Sequence, residues 1–280
     1  MFDSSLLRRH WTFEPSEIEG WRKREVVRTL LRRAVRRPHS VLIKAPTPSA
    51  RWALYFIYAP DGQLSLAHRY TLARLKDEGF AILAICAGAD RENLPRTVAA
   101  YADAVCWKAT GGYDFSAYTL GLEILAKHSY GATVLVLNDS VLGPFRSLRD
   151  HVDRAEWDFT GFTACGLIEN HVQSYAFVIS ELTPSKVRRM WTVLFPYFAL
   201  NGRDDVIFCQ ETRLARVASQ QMSTGALWYY PSGDMTQIAP LELLDQNFPF
   251  VKRSLLTNRS SFMGRQSVIE RLAHLGHPLE

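Results

Sequence analysis

The chain has 280 residues, of which 47% are hydrophobic, so it can bury a sizeable core and is not expected to be disordered. No stretch approaches the roughly 18 uninterrupted apolar residues of a membrane span, and the N-terminus lacks the layout of a signal peptide, which together predict a cytoplasmic protein. The formal net charge of +5 is modest, and outside one basic segment the charges nearly balance, which argues against nucleic acid binding by the whole protein.

The first predicted element is that basic segment, an amphipathic helix over residues 16–37 within an N-terminal arm. Between Arg22 and Arg37 it carries eight Lys or Arg and one acid, Glu25, and Pro38 is expected to end the helix. Two interpretations stay open. The helix is either a peripheral anchor on an anionic membrane, at the inner face of the cell membrane, or a helix that packs on the main domain with a solvated basic face. Its predicted apolar face consists of Val26, Val27, Leu30, Leu31, Ala34 and Val35.

From Arg51 the pattern changes to alternating strands and helices. This alternation predicts right-handed crossovers and a mostly parallel sheet flanked by helices, with a ligand crevice along one edge. Neither a GxGxxG after the first strand nor a GxxxxGK[ST] motif is present, which disfavours a nicotinamide enzyme and a P-loop phosphotransferase. Strands are predicted over residues 53–59, 81–86 and 104–107, and helices over residues 65–79 and 94–101.

The next strand, predicted over residues 133–137, stops at three small polar side chains. These are Asn138, Asp139 and Ser140, and a Gly-Pro turn follows them. Ligands bind beyond the carboxyl ends of the strands in open α/β sheets, so we expect the three side chains to lie beside a substrate. The alternative is an Asx-turn or helix cap that only closes the loop.

A second candidate loop spans residues 108–115 and precedes a helix predicted over residues 116–128. Its adjacent glycines, Gly111 and Gly112, allow the backbone to approach a ligand closely or to turn sharply. Because this loop also follows a strand of the parallel sheet, we expect it to face the same crevice as Asp139.

After Pro144 the alternation of strands and helices weakens. Neither an internal repeat nor a low-complexity run appears, so we predict a basic helical arm over residues 1–50 and a single catalytic-type domain over residues 51–280. The four scattered cysteines lack a CxxC pair and are expected to be reduced residues, mostly in the core. The later predicted elements are a helical patch over 145–153, a strand in the latter half of 171–179, helices over 183–198 and 204–218, and a short strand or aromatic patch over 228–230.

Six fragments of the chain resemble a known family. They are residues 112–115, residues 137–140 with Gly143 and Pro144, Asp158 and Phe159 with Gly161, His171 with residues 173–175, Glu211, and Pro249 and Phe250 with Lys252 and Arg253. In this order they resemble the rhamnan-synthesis glycosyltransferases, which include bacterial rhamnosyltransferases that build cell-surface polysaccharides. The resemblance implies a GT-A-like, Rossmann-type fold, a nucleotide-sugar donor such as dTDP-rhamnose, and a lipid-linked or polysaccharide acceptor.

The loop that begins at Lys108 departs from the family pattern. Relatives commonly carry Arg and Asn ahead of the Gly-Tyr-Asp-Phe-Gly run, whereas this chain has Lys108, Thr110 and Ser116. Lysine keeps the positive charge but not the two-pronged hold of arginine on a phosphate. A donor such as UDP-galactose or another UDP-sugar is therefore the alternative.

The resemblance also implies catalytic and metal-binding roles. Asp139 looks like the counterpart of the acidic motif that holds a divalent metal, Mg²⁺ or Mn²⁺, on the donor diphosphate. One carboxylate can serve when substrate phosphates and waters complete the coordination. Glu211 is the predicted base for an inverting transfer, with Asp158 and Asp205 in reserve.

The remaining predicted contacts divide between donor and acceptor. Each has a structural alternative, such as a helix cap for Asp114, a core position for His171, or a solvated surface for Lys252. The predicted donor-binding residues are Lys108, Gly112, Tyr113, Asp114, Asn138, Asp139, Ser140, Lys252 and Arg253. The predicted acceptor-binding residues are His171, Gln173 and Ser174. Trp228, Tyr229 and Tyr230 would form a sugar platform or alternate between core and surface.

These observations together predict an inverting, nucleotide-sugar-dependent glycosyltransferase of bacterial cell-surface polysaccharide biosynthesis. Two hypotheses from other classes stay open. A non-catalytic sugar- or nucleotide-binding module would keep the crevice without using a base. A nucleic-acid-binding protein would use the arginine helix, although nucleic acid is not among the partners we expect.

Overall fold

The computed structural model describes residues 2–17, 19–257 and 263–278. Within these residues a mixed sheet crosses the molecule, two pairs of short strands lie beside it, and helices pack on both faces. The α/β fold predicted from the sequence is confirmed. The strands are β1 (Arg8–Thr12), β2 (Ala34–Arg36), β3 (Ser40–Lys44), β4 (Arg51–Tyr58), β5 (Ala81–Ala87), β6 (Ala104–Lys108), β7 (Ala132–Asn138), β8 (Val141–Leu142), β9 (Phe159–Cys165), β10 (His171–Val172), β11 (Ala176–Leu182), β12 (Phe198–Leu200), β13 (Thr224–Tyr230) and β14 (Val251–Lys252). The α-helices are α1 (Gly20–Arg33), α2 (Leu66–Asp77), α3 (Asn93–Val98), α4 (Tyr113–His128), α5 (Leu148–Asp153), α6 (Pro184–Arg189), α7 (Arg203–Val206), α8 (Thr212–Ala218), α9 (Met235–Ile238), α10 (Pro240–Asp245) and α11 (Arg265–His274).

The centre of the sheet is parallel, as predicted. The strand order is β1-β13-β9-β11-β7-β4-β5-β6-β3, with β10 paired to the end of β9. The neighbours β7, β4, β5 and β6 run parallel to one another. Strand β11 is antiparallel to both β7 and β9, so β9 and its parallel neighbour β13 point in the same direction as β7.

The central strands are apolar because both faces of the sheet are covered. In β4, Trp52 and Leu54 belong to the core beneath α4, whereas Tyr55 and Ile57 belong to the core beneath α2. Strands that bury both faces appear in a sequence as continuous apolar runs, which explains why these strands were predictable. The carboxyl ends of β4, β6 and β7 consequently meet at one edge of the sheet.

Residues 1–50 supply both edge strands of this sheet. Strand β1 pairs with β13, and β3 pairs with β6, both in antiparallel register. The segment therefore takes part in the sheet at its two ends, with α1 between them. The predicted domain boundary at residue 50 stays a prediction.

Helix α1 is shorter than predicted, and its apolar residues do not share one face. It ends at Arg33, after which β2 pairs with β12. Val26 is buried and Leu30 is partly buried, whereas Val27 and Leu31 are exposed. At 100° per residue the six predicted apolar positions span too wide an arc for one contact surface. The inner face also carries a charged residue, Arg22, which is buried beside Glu169.

Two other helices differ from the prediction. The helix expected over residues 183–198 ends at Arg189 and is followed by turns and β12. A proline inside a helix lacks the amide hydrogen for the helical hydrogen bond, and its ring clashes with the carbonyl group one turn earlier. It also disfavours a helical conformation at the preceding residue. Pro196 is therefore incompatible with a helix that continues to residue 198. The helix expected over residues 204–218 is present from Arg203 to Ala218, but Ile207–Glu211 forms a π-helical turn within it.

Apolar side chains of the described residues form buried clusters within the molecule. Among the residues that the structure describes, no helix combines the length and hydropathy needed to cross a membrane. The four cysteines are all buried and unbridged, as their scattered spacing predicts.

Candidate functional site

A cavity of about 450 Å³ lies at the carboxyl ends of β4, β6 and β7. The structure thus brings together the two polar loops that follow β6 and β7, as the parallel topology predicts. A cavity of this volume is in the range that binds small ligands. Its lining residues are Phe56, Tyr58, Thr110, Gly111, Gly112, Tyr113, Asp114, Asn138, Asp139, Ser140 and Asn201.

Asn138 joins the two loops through its side-chain amide. Its Oδ1 accepts hydrogen bonds from the amide and hydroxyl of Ser140, at 3.0 Å and 2.5 Å, so the Asx-turn considered from the sequence is present. Its Nδ2 donates to Asp114 Oδ2 at 2.9 Å and to the Tyr118 hydroxyl at 2.8 Å. The same residue therefore shapes its own turn and fixes the carboxylate of the neighbouring loop.

Asp139 is held by one of its two carboxylate oxygens. Its Oδ2 accepts a hydrogen bond from the Tyr58 amide at 2.9 Å and lies 3.0 Å from Nε2 of His68. The Ser65 amide donates to Nδ1 of His68 at 3.3 Å, which assigns the remaining ring proton to Nε2. Within the described residues these contacts end on Oδ2, which leaves Oδ1 for a ligand.

Asp114 and Glu211 form an electrostatically coupled pair of carboxyl groups. Burial and the nearby charge of Glu211 raise the pKa of Asp114 to about 6. Glu211 accepts hydrogen bonds through Oε2 from both the amide, at 3.1 Å, and the hydroxyl of Ser174. The Tyr118 hydroxyl, which contacts Asn138, donates to the Ser174 carbonyl at 2.9 Å and connects the two halves of the network. Glu211 does not itself line the cavity, whereas Asp114 does.

The glycine loop brings its backbone close to neighbouring groups. Gly112 adopts a left-handed conformation with a φ of 81°, and its amide donates to Asn201 Oδ1 at 2.8 Å. Tyr113 follows with a φ of 46° and is 43% exposed at the cavity wall. Lys108 is buried, and its ammonium donates to the Gly111 carbonyl at 2.7 Å. Burial lowers the pKa of Lys108 to about 8. Lys108 therefore stabilises the glycine loop through this hydrogen bond and does not line the cavity.

Lys252 and Arg253 lie next to the Asp139 loop although they are more than 100 residues away in the chain. Strand β14 pairs with β8, which places Lys252 opposite Val141, and the Arg253 amide donates to the Ser140 carbonyl at 2.8 Å. The Lys252 ammonium lies 4.1 Å from the centre of the Tyr175 ring. The two cations are therefore beside the predicted diphosphate position but outside the cavity lining.

The predicted acceptor residues separate. Ser174 contacts Glu211, but His171 is buried with Nδ1 2.8 Å from the Glu169 carbonyl. Gln173 is also buried and accepts a hydrogen bond from Thr163 at 2.7 Å. The structure does not bring His171 or Gln173 to the cavity.

The reserve bases also lie elsewhere. Asp158 precedes β9, at the end of the sheet opposite Asp139, where it accepts hydrogen bonds from Lys186 at 2.7 Å and from Ser223. The hydrogen bond from Lys186 lowers the pKa of Asp158. Asp205 pairs with Arg33 at 3.3 Å. We therefore leave Asp158 and Asp205 out of the catalytic assignment.

The aromatic run at the end of β13 belongs to the core. Trp228, Tyr229 and Tyr230 are all buried, and Tyr229 stacks on Trp11 with ring centres 4.1 Å apart. Both faces of this strand are covered, since Tyr229 belongs to one buried cluster and Trp228 and Tyr230 belong to another. The sugar platform considered for these residues is not formed.

Sequence reasoning did not single out His68 or Tyr118. The signal for His68 is its position three residues after Ser65, which gives a capping box at the start of α2. That pattern explains one ring nitrogen and says nothing of Asp139, which follows a different strand. Tyr118 lies one turn after Asp114 on α4, and its contact with Asn138 depends on the packing of α4 against the sheet.

The metal prediction rests on Asp139 alone. Within the described residues, no group of three or more His, Cys, Asp or Glu side chains is arranged to hold a metal ion. A single carboxylate oxygen still fits a Mg²⁺ ion that takes its other ligands from phosphate and water. The residues present therefore suit a metal that arrives with a diphosphate rather than a preformed metal cage.

No protein-family model matches the chain, and neither does any curated protein. Several solved structures are distantly similar. The inositol-1-phosphate CTP transferase from T. maritima superposes with a TM-score of 0.42 at 10% identity, covering 71% of this chain and 97% of that one. Galactosyltransferase LgtC in complex with donor and acceptor sugar analogs has a TM-score of 0.41 at 9% identity, covering 81% of this chain and 97% of that one. HddC from Yersinia pseudotuberculosis has a TM-score of 0.37 at 8% identity, covering 64% of this chain and 92% of that one. These similarities are too distant to assign a family, and the fold description rests on the sheet topology itself.

Proposed function

We propose that the protein is a nucleotide-sugar-dependent glycosyltransferase that adds a sugar to a growing cell-surface glycan with inversion at the anomeric carbon. The observation that carries the proposal is the 450 Å³ cavity at the carboxyl ends of parallel strands, where Asp114, Asn138 and Asp139 converge. Its polar groups suit hydroxyl and phosphate groups, and the ring of Tyr113, which is 43% exposed, suits a nucleobase.

The donor would lie between the two loops. Tyr113 would stack on the nucleobase of the donor, while Asp114 and Asn138 would hydrogen-bond to ribose or sugar hydroxyls. The resemblance to the rhamnan-synthesis family favours dTDP-rhamnose, and Lys108 in place of the usual arginine keeps a UDP-sugar as the alternative.

The diphosphate would lie at Asp139. Oδ1 of Asp139 would hold a Mg²⁺ or Mn²⁺ ion that, when bound, helps to neutralise the charge on the leaving diphosphate. Lys252 and Arg253, which are tied to this loop through β14 and the Ser140 carbonyl, would add positive charge near the same position.

Glu211 would act as the base. Ser174 holds Oε2, which leaves Oε1 to take the proton from the acceptor hydroxyl. The acceptor oxygen forms a bond to the anomeric carbon from one side while the bond from that carbon to the phosphate oxygen breaks on the other. The bonding electron pair leaves with the nucleoside diphosphate, and the proton stays on Glu211.

Incubation with a panel of dTDP- and UDP-sugars and an acceptor glycan tests the proposal. We expect transfer by the wild type and a loss of at least 100-fold in kcat for Glu211→Gln, with donor affinity retained. Glu156→Gln, a change of an exposed carboxylate that pairs with His10, is the matched control and should leave transfer unchanged. If the protein shows no transfer and no hydrolysis with any of the donors, the proposed enzymatic function is wrong. Donor binding without turnover would favour the non-catalytic binding module.

A further inference from the structure

The outer face of α1 exposes aliphatic side chains to solvent. Leu31 is 83% exposed and Val27 is 56% exposed. Residues four apart on a helix are neighbours, so Val27 and Leu31 form one apolar ridge. Large exposed aliphatic side chains gathered on one helix indicate a binding surface more often than a single exposed residue does.

Cations surround this ridge. Helix α1 contains six Lys or Arg and one acid, Glu25, which is itself paired with Arg28 at 3.4 Å. A surface groove of about 590 Å³ runs along the ridge and is lined by side chains of α1 alone. Its lining residues are Lys23, Arg24, Val27, Arg28, Leu31 and Arg32. The partner that complements this face must therefore be both apolar and anionic.

The inner face of α1 is fixed to the protein. Arg22 lies 3.0 Å from Glu169, whose side chain is 1% exposed, and Arg22 also donates to the Thr212 hydroxyl at 3.2 Å. Beside this contact, Lys23 and Arg213 flank a second cavity of about 200 Å³. The exposed ridge therefore lies on a helix whose other face is attached to the protein, with additional positive charge at its edge.

The same inner face packs on the helical turn that carries the proposed base. Trp21 stacks on Phe208 at 6.5 Å, and Thr212, the partner of Arg22, directly follows Glu211. A surface that meets the outer face of α1 would thus lie one helix away from Glu211. An acceptor embedded in that surface would be close to the site of transfer.

We propose that the outer face of α1 docks the protein on an anionic lipid bilayer, with Val27 and Leu31 in the interfacial layer and the surrounding Lys and Arg side chains on lipid phosphates. A basic helix with an apolar ridge binds such an interface in two ways, because it buries apolar surface area and its cations are attracted to anionic headgroups. The docking itself does not depend on glycosyl transfer. The closeness to Glu211 rests on the proposed function and adds to it that the acceptor is lipid-linked.

Co-sedimentation with vesicles tests the docking without any donor. We expect the full chain to bind vesicles of phosphatidylglycerol and phosphatidylcholine at low salt, and to bind pure phosphatidylcholine much more weakly. Arg24→Gln with Arg28→Gln should weaken binding roughly 30-fold. Val27→Ser with Leu31→Ser should weaken it roughly tenfold at unchanged charge. Arg91→Gln with Arg96→Gln removes two exposed arginines elsewhere and should change binding little.

Three results would overturn the proposal. These are equal binding to anionic and neutral vesicles, an equal loss in the Arg91 and Arg96 control, and no effect of the serine variant. Binding to duplex DNA or RNA that is lost with the α1 variants, in the absence of vesicle binding, would assign the face to nucleic acid instead. Vesicle binding in a protein that lacks transferase activity would keep the docking surface and remove the proposed function.

Discussion

His68 sets the orientation of Asp139 through a chain of hydrogen bonds that begins at the start of α2. The Ser65 amide occupies Nδ1, so Nε2 carries the proton that points to Asp139 Oδ2. The Tyr58 amide reinforces the same oxygen at 2.9 Å. A carboxylate that is held in this way by one oxygen presents the other oxygen in a fixed direction. Residues that hydrogen-bond to metal-binding carboxylates orient them in the same manner.

We therefore expect His68→Ala to weaken metal-dependent binding of a nucleoside diphosphate by roughly 10- to 100-fold. His68→Gln keeps a donor near the position of Nε2 and should retain most of the affinity. Calorimetric titration of UDP or dTDP, with and without Mg²⁺, measures the effect separately from turnover. An equal loss in both variants, or a loss that is the same without Mg²⁺, would contradict a positioning role.

The raised pKa of Asp114 has a consequence for stability. Its pKa rises from 3.8 to about 6 in the folded protein, because of burial and the charge of Glu211. Between about pH 4 and pH 6 the folded protein keeps a proton that the unfolded chain has released, so stability falls as the pH rises through this interval. The free energy of unfolding of Asp114→Asn should gain on the order of 2 kcal/mol relative to wild type between pH 4.5 and pH 7.5.

Urea unfolding of both proteins at the two pH values measures this gain. Asp158→Asn is the matched control, because Lys186 lowers the pKa of Asp158 and the sign of its effect is therefore reversed. That variant should lose stability relative to wild type as the pH rises from 3 to 6. Parallel pH profiles for wild type and Asp114→Asn would show that Asp114 is not held in its neutral form.

At the scale of elements, the central strands were predictable and the edges were not. The bounds of β4, β5, β6 and β7 agree with the sequence prediction to within two residues, because burial on both faces gives continuous apolar runs. Strand β1 is largely exposed, with a buried position only at Trp11, and its partner β13 follows more than 200 residues later. Such a pairing is decided by tertiary contacts that no local pattern encodes.

The same distinction applies to the candidate site. The loops after β6 and β7 were expected to share a crevice, since parallel strands place their carboxyl ends together. The contacts of Asp139 with His68 and of Asn138 with Tyr118 join residues of different βα units. They depend on how each helix rotates against the sheet, which the spacing of apolar residues fixes only to a broad arc.

Gly112 immediately precedes α4 and lines the cavity. Its φ of 81° is combined with a crowded surrounding, because an added Cβ would lie 2.7 Å from Ser116 Oγ and 2.9 Å from Ala199 Cβ. Gly131 has a similar φ of 79° but open space around it. The pair therefore separates the cost of the backbone conformation from the cost of crowding.

Gly131→Ala should lower the free energy of unfolding by about 1 kcal/mol, as expected for alanine in the left-handed region. Gly112→Ala should lower it by about 2–3 kcal/mol and also weaken donor binding, because the start of α4 must shift at the cavity. Urea unfolding and nucleotide titration of the two variants measure both effects. Equal destabilisation by the two changes would show that the loop can relax around the added methyl group.

At the scale of the whole molecule, one buried ion cluster ties the N-terminal helix to the sheet and to α8. Glu169 lies 3.0 Å from Arg22 and 2.7 Å from Arg216, and its side chain is 1% exposed. Arg216 also donates to the Ser16 carbonyl at 2.6 Å. The contact between Arg22 and Glu169 is an ion pair without hydrogen-bond geometry, since Oε1 of Glu169 accepts no hydrogen bond within the described residues.

Removing the single acid of this cluster should loosen the attachment of α1. Glu169→Gln leaves two arginines without a counter-charge in a buried setting, so we expect a loss of about 3–5 kcal/mol in the free energy of unfolding. Arg28→Gln breaks the exposed pair with Glu25 and should cost less than about 1 kcal/mol. The double change Glu169→Met with Arg22→Met should recover part of the loss, because a buried pair can often be replaced by apolar side chains. Denaturant unfolding of the four proteins decides the matter. A Glu169→Gln variant as stable as Arg28→Gln would mean that the cluster is solvated and that apolar contacts such as those of Val26 hold α1 to the protein.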